Sequence, residues 1–527
     1  MAIAGGAKLC CPARTDPAKN RSKKQAKLAE KAQRKAEASA KPTEAKPVED
    51  IASPDSAEGL DGTLSLNQNQ DRSRRDWILI NDLSPADVGR NVLVRARLAS
   101  SRYQGKLAFL IVRQRIHTLQ VCVAVGEGAT SKKMVQWVSE IPSESVILVE
   151  GTIRAVKNLK TTTVRDVELV AGKMFLVARA ADTLPFSLAD ASRAERDYDQ
   201  GKVQYNRVLL ETRLNNRVLD LRTPTNQAIF TLQSAVTHLL SAFLQRKAFT
   251  EIHTPKLQAG ASESGSSVFK VNYFKRDAFL AVSPDLAKQM CMAADFERVY
   301  EIGPVFRAEN SFTHRHLTEF TALDLEMAIE EHYDEVISLL DDALKEVFRG
   351  LKEAYRTEID TVRRQFPADD FKWQERIRLT FEEAIDLLVA DGMDYSQLDD
   401  IDTTNEKRLG RIVRNKYETD FFIIDKFPIH LRPFYTMPDP IDPALSDSFD
   451  FFMRGEEILS GAQRIHDPTL LGIDVSSMQS CVDAFKLGCP PHGGGGIGLE
   501  RVLMLYLQLN DIRRASLFPR DHKRLTP

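Results

Sequence analysis

Cysteine is scarce in this chain. Of the six in 527 residues, Cys10 and Cys11 are adjacent and the rest are scattered, with no CxxC pair, so neither a zinc site nor a disulfide framework is indicated and a reducing, cytosolic compartment fits best. No run of about 18 apolar residues occurs, so neither a membrane span nor a membrane partner is expected. The opening "MAIAGGAKLCCPARTD" lacks an apolar core of signal-peptide length, and its basic stretch favours Lys over the Arg and Ser of a mitochondrial presequence. Net charge is only −2, so the chain as a whole is neither polycation nor polyanion. Internal repeats are absent. What remains is a chain long enough for two or three domains with real cores.

The near-neutral total hides an asymmetry. "KNRSKKQAKLAEKAQRKAEASAK" (19–41) is strongly basic and built of good helix formers with almost no apolar face. It reads equally as a solubilising tail or as a polyanion-binding arm that gains from counterion release. Residues 42–76, rich in Pro, Ser, Asp and Asn, read as a linker, so 1–76 form a basic extension and flexible linker. From Trp77 the texture changes. "NVLVRARLASS", "KLAFLIVRQR", "TLQVCVAVG", "SVILVEGTIRAV" and "VRDVELVAGKMFLVA" are short alternating segments separated by turn residues. Five such strands predict a small barrel over 77–184, an OB-fold by preference, a type that often binds single-stranded nucleic acid. A charged hinge, 185–212, leads to an α+β region, 213–527. There Ile229, Leu232, Val236, Leu239 and Phe243 fall at spacings of three and four on one helix face, and "FTEIHTPKL" (249–257) follows as a strand.

Three clusters carry chemistry. "VYEIGPVFRAENSFTHRHLTEFTALDLEMA" (299–328) reads as strand, polar loop, strand. Arg307 and Glu309 share one face of the first strand. In the second, Leu323, Leu325 and Met327 oppose Phe320, Asp324 and Glu326. An arginine beside an aromatic platform suits a nucleotide, charge for phosphate and π-face for base; a solvated sheet face with cross-strand ion pairs is the alternative. In "FDFFMRGEEILSGAQRIHD" (449–467), Asp450, Glu456 and Glu457 offer carboxylates of the kind Mg²⁺ takes beside phosphate oxygens, and Arg464 suits another carboxylate. In "PPHGGGGIGLERVLMLYLQL" (490–509) the glycine run permits close backbone approach. A Rossmann fingerprint fails there, because too little chain follows Gly498 for a βαβ unit.

Taken together, these blocks resemble the class II aminoacyl-tRNA synthetases, subclass b, and most closely their aspartyl, eukaryotic cytosolic branch. "FTEIHTPKL" is similar to motif 1, "FRAENSFTHRHLTEF" to motif 2 and "GGGIGLERV" to motif 3; "RPFYTMPDP" (432–440) and "MRGEEILSGAQRIHDP" (453–468) match further blocks. The resemblance spans roughly 77–527. It implies an OB-fold anticodon-binding barrel and a catalytic domain on an antiparallel sheet flanked by helices. It also implies ATP and Mg²⁺, L-aspartate and tRNA(Asp), a homodimer with Pro255 at its interface, and a cytoplasmic location.

The roles that the resemblance implies are specific. Arg307 and Arg501 are the catalytic pair, on the α-phosphate and γ-phosphate sides. ATP is held by Arg307, Glu309, Arg315, His316, Leu317, Phe320, Glu457, Gly498, Leu499, Glu500 and Arg501. The metal set is Glu457, Ser460 and Asp450. Aspartate is held by Ser262, Glu263, Asp285, Lys288, Arg307, Asp324, Ser460 and Arg464, with Lys288 and Arg464 gripping its side-chain carboxylate. In the barrel Phe109, Gln120 and Glu168 resemble anticodon readers. Phosphoryl chemistry of this kind needs positioning and charge neutralisation rather than a side-chain nucleophile, so His316 and His492 read as binding or structural residues.

Some positions depart from the family pattern. "VSPD" (282–285) stands for the family's "QSPQ", and Ser264, Phe312 and Ala322 replace a glycine, an asparagine and a glycine. Asp285 either pairs with the substrate ammonium, or repels its carboxylates or neutralises Lys288; at about 4 Å such effects are on the order of 4 kcal/mol. These departures keep a second reading open, a synthetase-like paralog that binds tRNA with altered or lost charging.

Overall fold

The computed structural model describes residues 60–64, 75–126, 130–199, 205–260, 268–395, 400–470 and 479–527. The chain divides near Ala180 into two compact units.

Alternation builds the first unit. Strands β1 (Asp61–Thr63), β2 (Asn91–Gln104), β3 (Leu107–Gln114), β4 (His117–Ala124), β5 (Val146–Ala155) and β6 (Val167–Ala178) form one sheet in the order β1-β6-β4-β3-β2-β5, and a further β5–β6 pairing closes it into a barrel. Val92, Val94, Ala96 and Leu98 point inward at every second position of β2, where they meet Leu110, Leu119 and Val121. Gly151 lies where the β5–β6 register shifts, and a Cβ there would stand 2.1 Å from the Val170 carbonyl oxygen. Helix α1 (Lys132–Ser139) is capped by Ser131 Oγ, which accepts from the Met134 N–H, and it adds Met134, Val135 and Val138 to the core. The five expected strands are therefore present. β1 is a correction: Asp61–Thr63, expected within the linker, pairs in parallel with Met174–Leu176.

The second unit carries an eight-stranded sheet. Its strands are β7 (Thr250–Glu251), β8 (Arg298–Phe306), β9 (Glu319–Ala328), β10 (Arg378–Thr380), β11 (Phe421–Asp425), β12 (Ser448–Met453), β13 (Glu456–Gln463) and β14 (His492–Gly498), in the order β10-β11-β12-β13-β14-β9-β8-β7. All neighbours are antiparallel except β10/β11 and β8/β7. Helix α2 (Pro224–Arg246) starts at a Thr223 cap with proline at its first position. It buries Ile229, Leu232, Val236 and Phe243, with Leu239 half-covered. Each such side chain contributes about 1.5–3 kcal/mol by leaving water. α2 is long and apolar enough to span a membrane by composition alone, but this face is part of the domain core, packed with α4 (Asp334–Ala354), which follows α3 (Asp285–Ala293) in the chain. Helix α5 (Leu499–Leu507) continues directly from β14.

Two strand expectations need correction. The strand over 249–257 is reduced to β7 and to Leu257, which starts a short strand of a separate small sheet, and Pro255 sits exposed between them. β8 ends at Phe306: the Arg307 N–H still donates to the Thr318 carbonyl at 2.9 Å, after which the chain leaves the sheet. Arg307 and Glu309 therefore belong to the hairpin loop, not to a strand face.

Candidate active site

β9 determines the floor of the site. Its alternation sends Leu323, Leu325 and Met327 into the core and Asp324 and Glu326 to the opposite side. β14 runs beside it with Asp324 opposite Gly496 and Glu326 opposite Gly494. A Cβ on Gly496 would come within 2.7 Å of Asp324 Oδ1, and one on Gly494 within 2.3 Å of Glu326 Oε2. The glycine run thus makes room for two buried carboxylates.

Above this floor lies a cavity of about 340 Å³. One end is cationic and aromatic. Arg307, Arg315 and Arg501 line it together with Glu309, His316, Leu317, Phe320 and Gly498. The Arg307 guanidinium lies 5.6 Å from the Phe320 ring centroid. Arg501 Nη1 donates to the Glu457 carbonyl at 2.8 Å, and burial pulls its pKa down. Arg315 Nη1 donates to Glu406 Oε2 at 2.6 Å, from the helix Thr403–Tyr417. His316 Nδ1 is 2.6 Å from Thr313 Oγ1, and burial lowers its pKa, which keeps the ring neutral. Three guanidiniums lining one cavity, one of them beside an aromatic ring, suit a polyphosphate joined to a flat base.

Two of the expected ATP contacts sit differently. Leu499 is buried in the core rather than on the cavity wall. Glu500 reaches the wall, but both its oxygens accept from the Thr321 N–H at 3.1 Å, and burial pushes its pKa up to about 7.

The expected metal set divides. Glu457 and Ser460 face the cavity, and carboxylate and hydroxyl oxygens suit Mg²⁺ when phosphate oxygens complete its shell. Asp450 does not line the cavity; it pairs with Arg432 at 2.8 and 3.1 Å, and the same guanidinium donates to Ser460 Oγ at 3.2 Å. No cluster of three or more His, Cys, Asp or Glu side chains with metal-binding geometry occurs among the described residues.

The other end of the cavity is a buried charge cluster. Lys288, on α3, has no exposed surface and lies beneath the wall, with Nζ 2.8 Å from Asp285 Oδ1, 3.3 Å from Asp324 Oδ1 and 3.6 Å from Glu326 Oε2. Arg464 lines the cavity and pairs with Glu326 at 3.1 Å and with Asp285 at 3.7 Å. Burial alone would discharge both cations, but the surrounding carboxylates outweigh it and hold both above their usual pKa values. Burial pushes Asp324 up to about 6, with Lys288 opposing and Asp285 adding to the rise. Asp285 and Lys288 thus form an ion pair at this buried end. His492 is fully buried, its ring pKa lowered by burial and its Nδ1 2.9 Å from the Pro490 carbonyl.

Sequence reasoning gave no role to Glu326, Arg432, Tyr435 or Glu406. Glu326 carried a signal, since it alternates with Asp324 on one strand; Arg432 and Tyr435 lay in a block singled out only by resemblance; Glu406 carried none. Ser262, Glu263 and Ser264 fall outside the described residues, as does the arm at 19–41. Phe312 is half exposed and receives Arg513 and Lys523 over its ring at 4.3 and 4.1 Å. Ala322 lies buried on the hairpin between Gly303 and Gly498. In the barrel, Phe109 is half-buried. Gln120 Nε2 donates to Glu168 Oε2 at 2.7 Å, and Arg154 holds the other Glu168 oxygen at 2.7 and 2.9 Å.

An antiparallel sheet with a glycine strand, an arginine–aromatic hairpin and a helix-borne arginine around one nucleotide-sized cavity defines a catalytic domain of the class II synthetase type. The family described as tRNA synthetases class II (D, K and N) matches residues 209–522, and the chain belongs to it. Cytoplasmic aspartate–tRNA ligases of Homo sapiens and Bos taurus are 49% and 50% identical over 486 residues, covering 90% of this chain and 96% of each relative. The aspartyl-tRNA synthetase of Entamoeba histolytica superposes with a TM-score of 0.82 at 40% identity, covering 89% of this chain and 97% of that one.

Proposed function

We propose that this chain is a cytoplasmic aspartate–tRNA ligase that uses ATP to make aspartyl-adenylate and passes the aspartyl group to the terminal adenosine of tRNA(Asp). The supporting observation is the division of one cavity into an arginine-lined, aromatic end and a buried end holding Lys288 and Arg464. The aspartate α-carboxylate attacks the α-phosphorus of ATP and pyrophosphate leaves. A ribose hydroxyl of tRNA then attacks the acyl carbon, the bond from that carbon to the bridging oxygen breaks, AMP leaves carrying that oxygen, and the hydroxyl proton is released. Arg307 neutralises charge at the α-phosphate, Arg501 at the γ-phosphate, and Phe320 stacks on adenine. Mg²⁺, held by Glu457 and Ser460, supplies charge neutralisation at the phosphates when bound. Ser262 and Glu263 close over the amino acid, and Lys288 and Arg464 read its side-chain carboxylate. Phe109, Gln120 and Glu168 form the anticodon surface, and Pro255 lies at a homodimer interface.

Pyrophosphate exchange into ATP that depends on L-aspartate tests this reading. Absence of exchange at saturating aspartate, ATP and Mg²⁺ would overturn it. Deleting residues 1–45 is expected to weaken tRNA affinity, chiefly at low salt, while exchange stays intact; unchanged low-salt affinity returns the arm to a solubilising tail.

A further inference from the structure

Viewed from the cavity, the charges at its buried end come in an unexpected order. Asp285 and Asp324 line the wall, and the Lys288 ammonium lies behind them with no exposure. Asp285 is the first residue of α3, placed there by Pro284. Its Oδ1 is 2.8 Å from Lys288 and 3.7 Å from Arg464, and its Oδ2 accepts from the Tyr435 hydroxyl at 3.1 Å. Burial disfavours the charge on Asp285, but Lys288 and Arg464 overcome it and hold the carboxylate ionised. One carboxylate bridging an ammonium and a guanidinium, with a phenol on its second oxygen, is the coordination expected of a bound acidic side chain.

We infer that Asp285 is an internal substitute for the substrate's side-chain carboxylate, seated between Lys288 and Arg464, so that aspartate binds only by displacing it. The inference rests on the proposed reading that these two cations recognise the substrate side chain.

Charge makes the displacement costly. Three carboxylates, Asp285, Asp324 and Glu326, already face two cations. A substrate carboxylate adds a fourth within the same water-poor space, where like charges disfavour ionisation. Asp285 Oδ1 already faces both cations, and Oδ2 accepts from Tyr435. The group best able to relieve the excess is Asp324, whose pKa stands at about 6. It is faced by Asp285 and Lys288 from α3, by Lys256 from the chain after β7, and by Glu301, its cross-strand partner on β8, which Lys256 holds at 2.8 Å. Glu326 lies on its own strand, and Arg464, which pairs with Glu326, follows β13. Aspartate binding therefore draws a proton onto Asp324, and affinity rises as pH falls.

The test is aspartate-dependent pyrophosphate exchange by the full chain and by Asp285→Asn and Asp285→Gln, which keep the shape and remove the charge. The KM for aspartate is expected to fall about tenfold or more in both variants, with kcat changed much less. The wild-type KM is expected to drop between about pH 8 and about pH 6, and this dependence to weaken in the variants. An unchanged or raised KM in folded variants overturns the inference and leaves the proposed function standing. Exchange absent from the wild-type protein overturns the proposed function and this inference with it. Where a variant fails to fold, calorimetric titration of the wild-type protein with aspartate in two buffers of different ionisation enthalpy decides. Proton uptake on binding is expected, and its absence overturns the inference.

Discussion

The Arg501 guanidinium donates a 2.8 Å hydrogen bond to the Glu457 carbonyl oxygen while standing 3.9 Å from the carboxylate of the same residue. One strand thus both aims the arginine and supplies the oxygen that neighbours it. The guanidinium is held at the start of α5, and only its remaining N–H groups are left for a phosphate. Arg501→Lys keeps a positive charge but loses the planar fork. Pyrophosphate exchange is expected to fall about a hundredfold in kcat/KM for ATP, the usual effect of losing one preorganised donor. A change of less than about threefold would remove Arg501 from the phosphate site.

Asp450 and Glu457 look equivalent in sequence and are not equivalent in space. Asp450 is locked to Arg432, whose guanidinium also lies 3.7 Å from the Phe427 ring centroid. Asp450→Asn is expected to act on stability, since breaking one member of a buried pair costs about 3–5 kcal/mol, and to leave the Mg²⁺ concentration for half-maximal exchange unchanged. Glu457→Gln is expected to raise that concentration about tenfold with a small effect on melting. Magnesium titration of exchange beside thermal melts separates the two; a shifted Mg²⁺ requirement in Asp450→Asn returns Asp450 to the metal set.

Local pattern made much of this molecule legible. The alternation of Leu323, Leu325 and Met327 against Asp324 and Glu326 appears as written, because period two follows from backbone geometry alone. The spacing of Ile229, Leu232, Val236 and Phe243 likewise predicts the buried face of α2. The strand end at Phe306 was not legible, because Arg307 continues the β-compatible pattern while its side chain belongs to a cavity. Nor were the pairs Arg432–Asp450, Arg315–Glu406 and Arg464–Asp285 legible. Each joins segments far apart in the chain, so no periodicity encodes it. For Asp285, sequence gave the sign of both effects but not their balance; the balance depends on Arg464 and Tyr435 arriving at the same carboxylate.

On the barrel, Glu168 is nearly fully buried and held by Arg154 and Gln120. That arrangement fixes the Gln120 amide and, on the proposed reading, presents it to an anticodon base. Phe109→Ala is expected to raise the KM for tRNA by about tenfold to a hundredfold, the range for losing one base stack. Glu168→Ala is expected to raise it as well by freeing Gln120, with aspartate-dependent exchange unaltered in both. Charging assays with tRNA(Asp) transcript, read beside exchange, measure this. A tRNA KM unchanged by Phe109→Ala would take the residue out of the anticodon surface.

Glu500 gives a stability prediction with a defined sign. Burial raises its pKa to about 7 from the ordinary 4.5, so the folded chain holds a proton there that the unfolded chain has released. Its contribution to stability is therefore complete below about pH 4.5 and is lost as pH rises through about 7, an effect on the order of 3 kcal/mol. Glu500→Gln keeps an acceptor for the Thr321 N–H and removes the titration. Relative to this variant, the wild-type catalytic domain is expected to lose stability between about pH 5 and about pH 8, read as the difference in urea midpoints. If that difference does not change with pH, Glu500 is ionised in the folded protein throughout, and its two contacts with Thr321 carry a full charge rather than a shared proton.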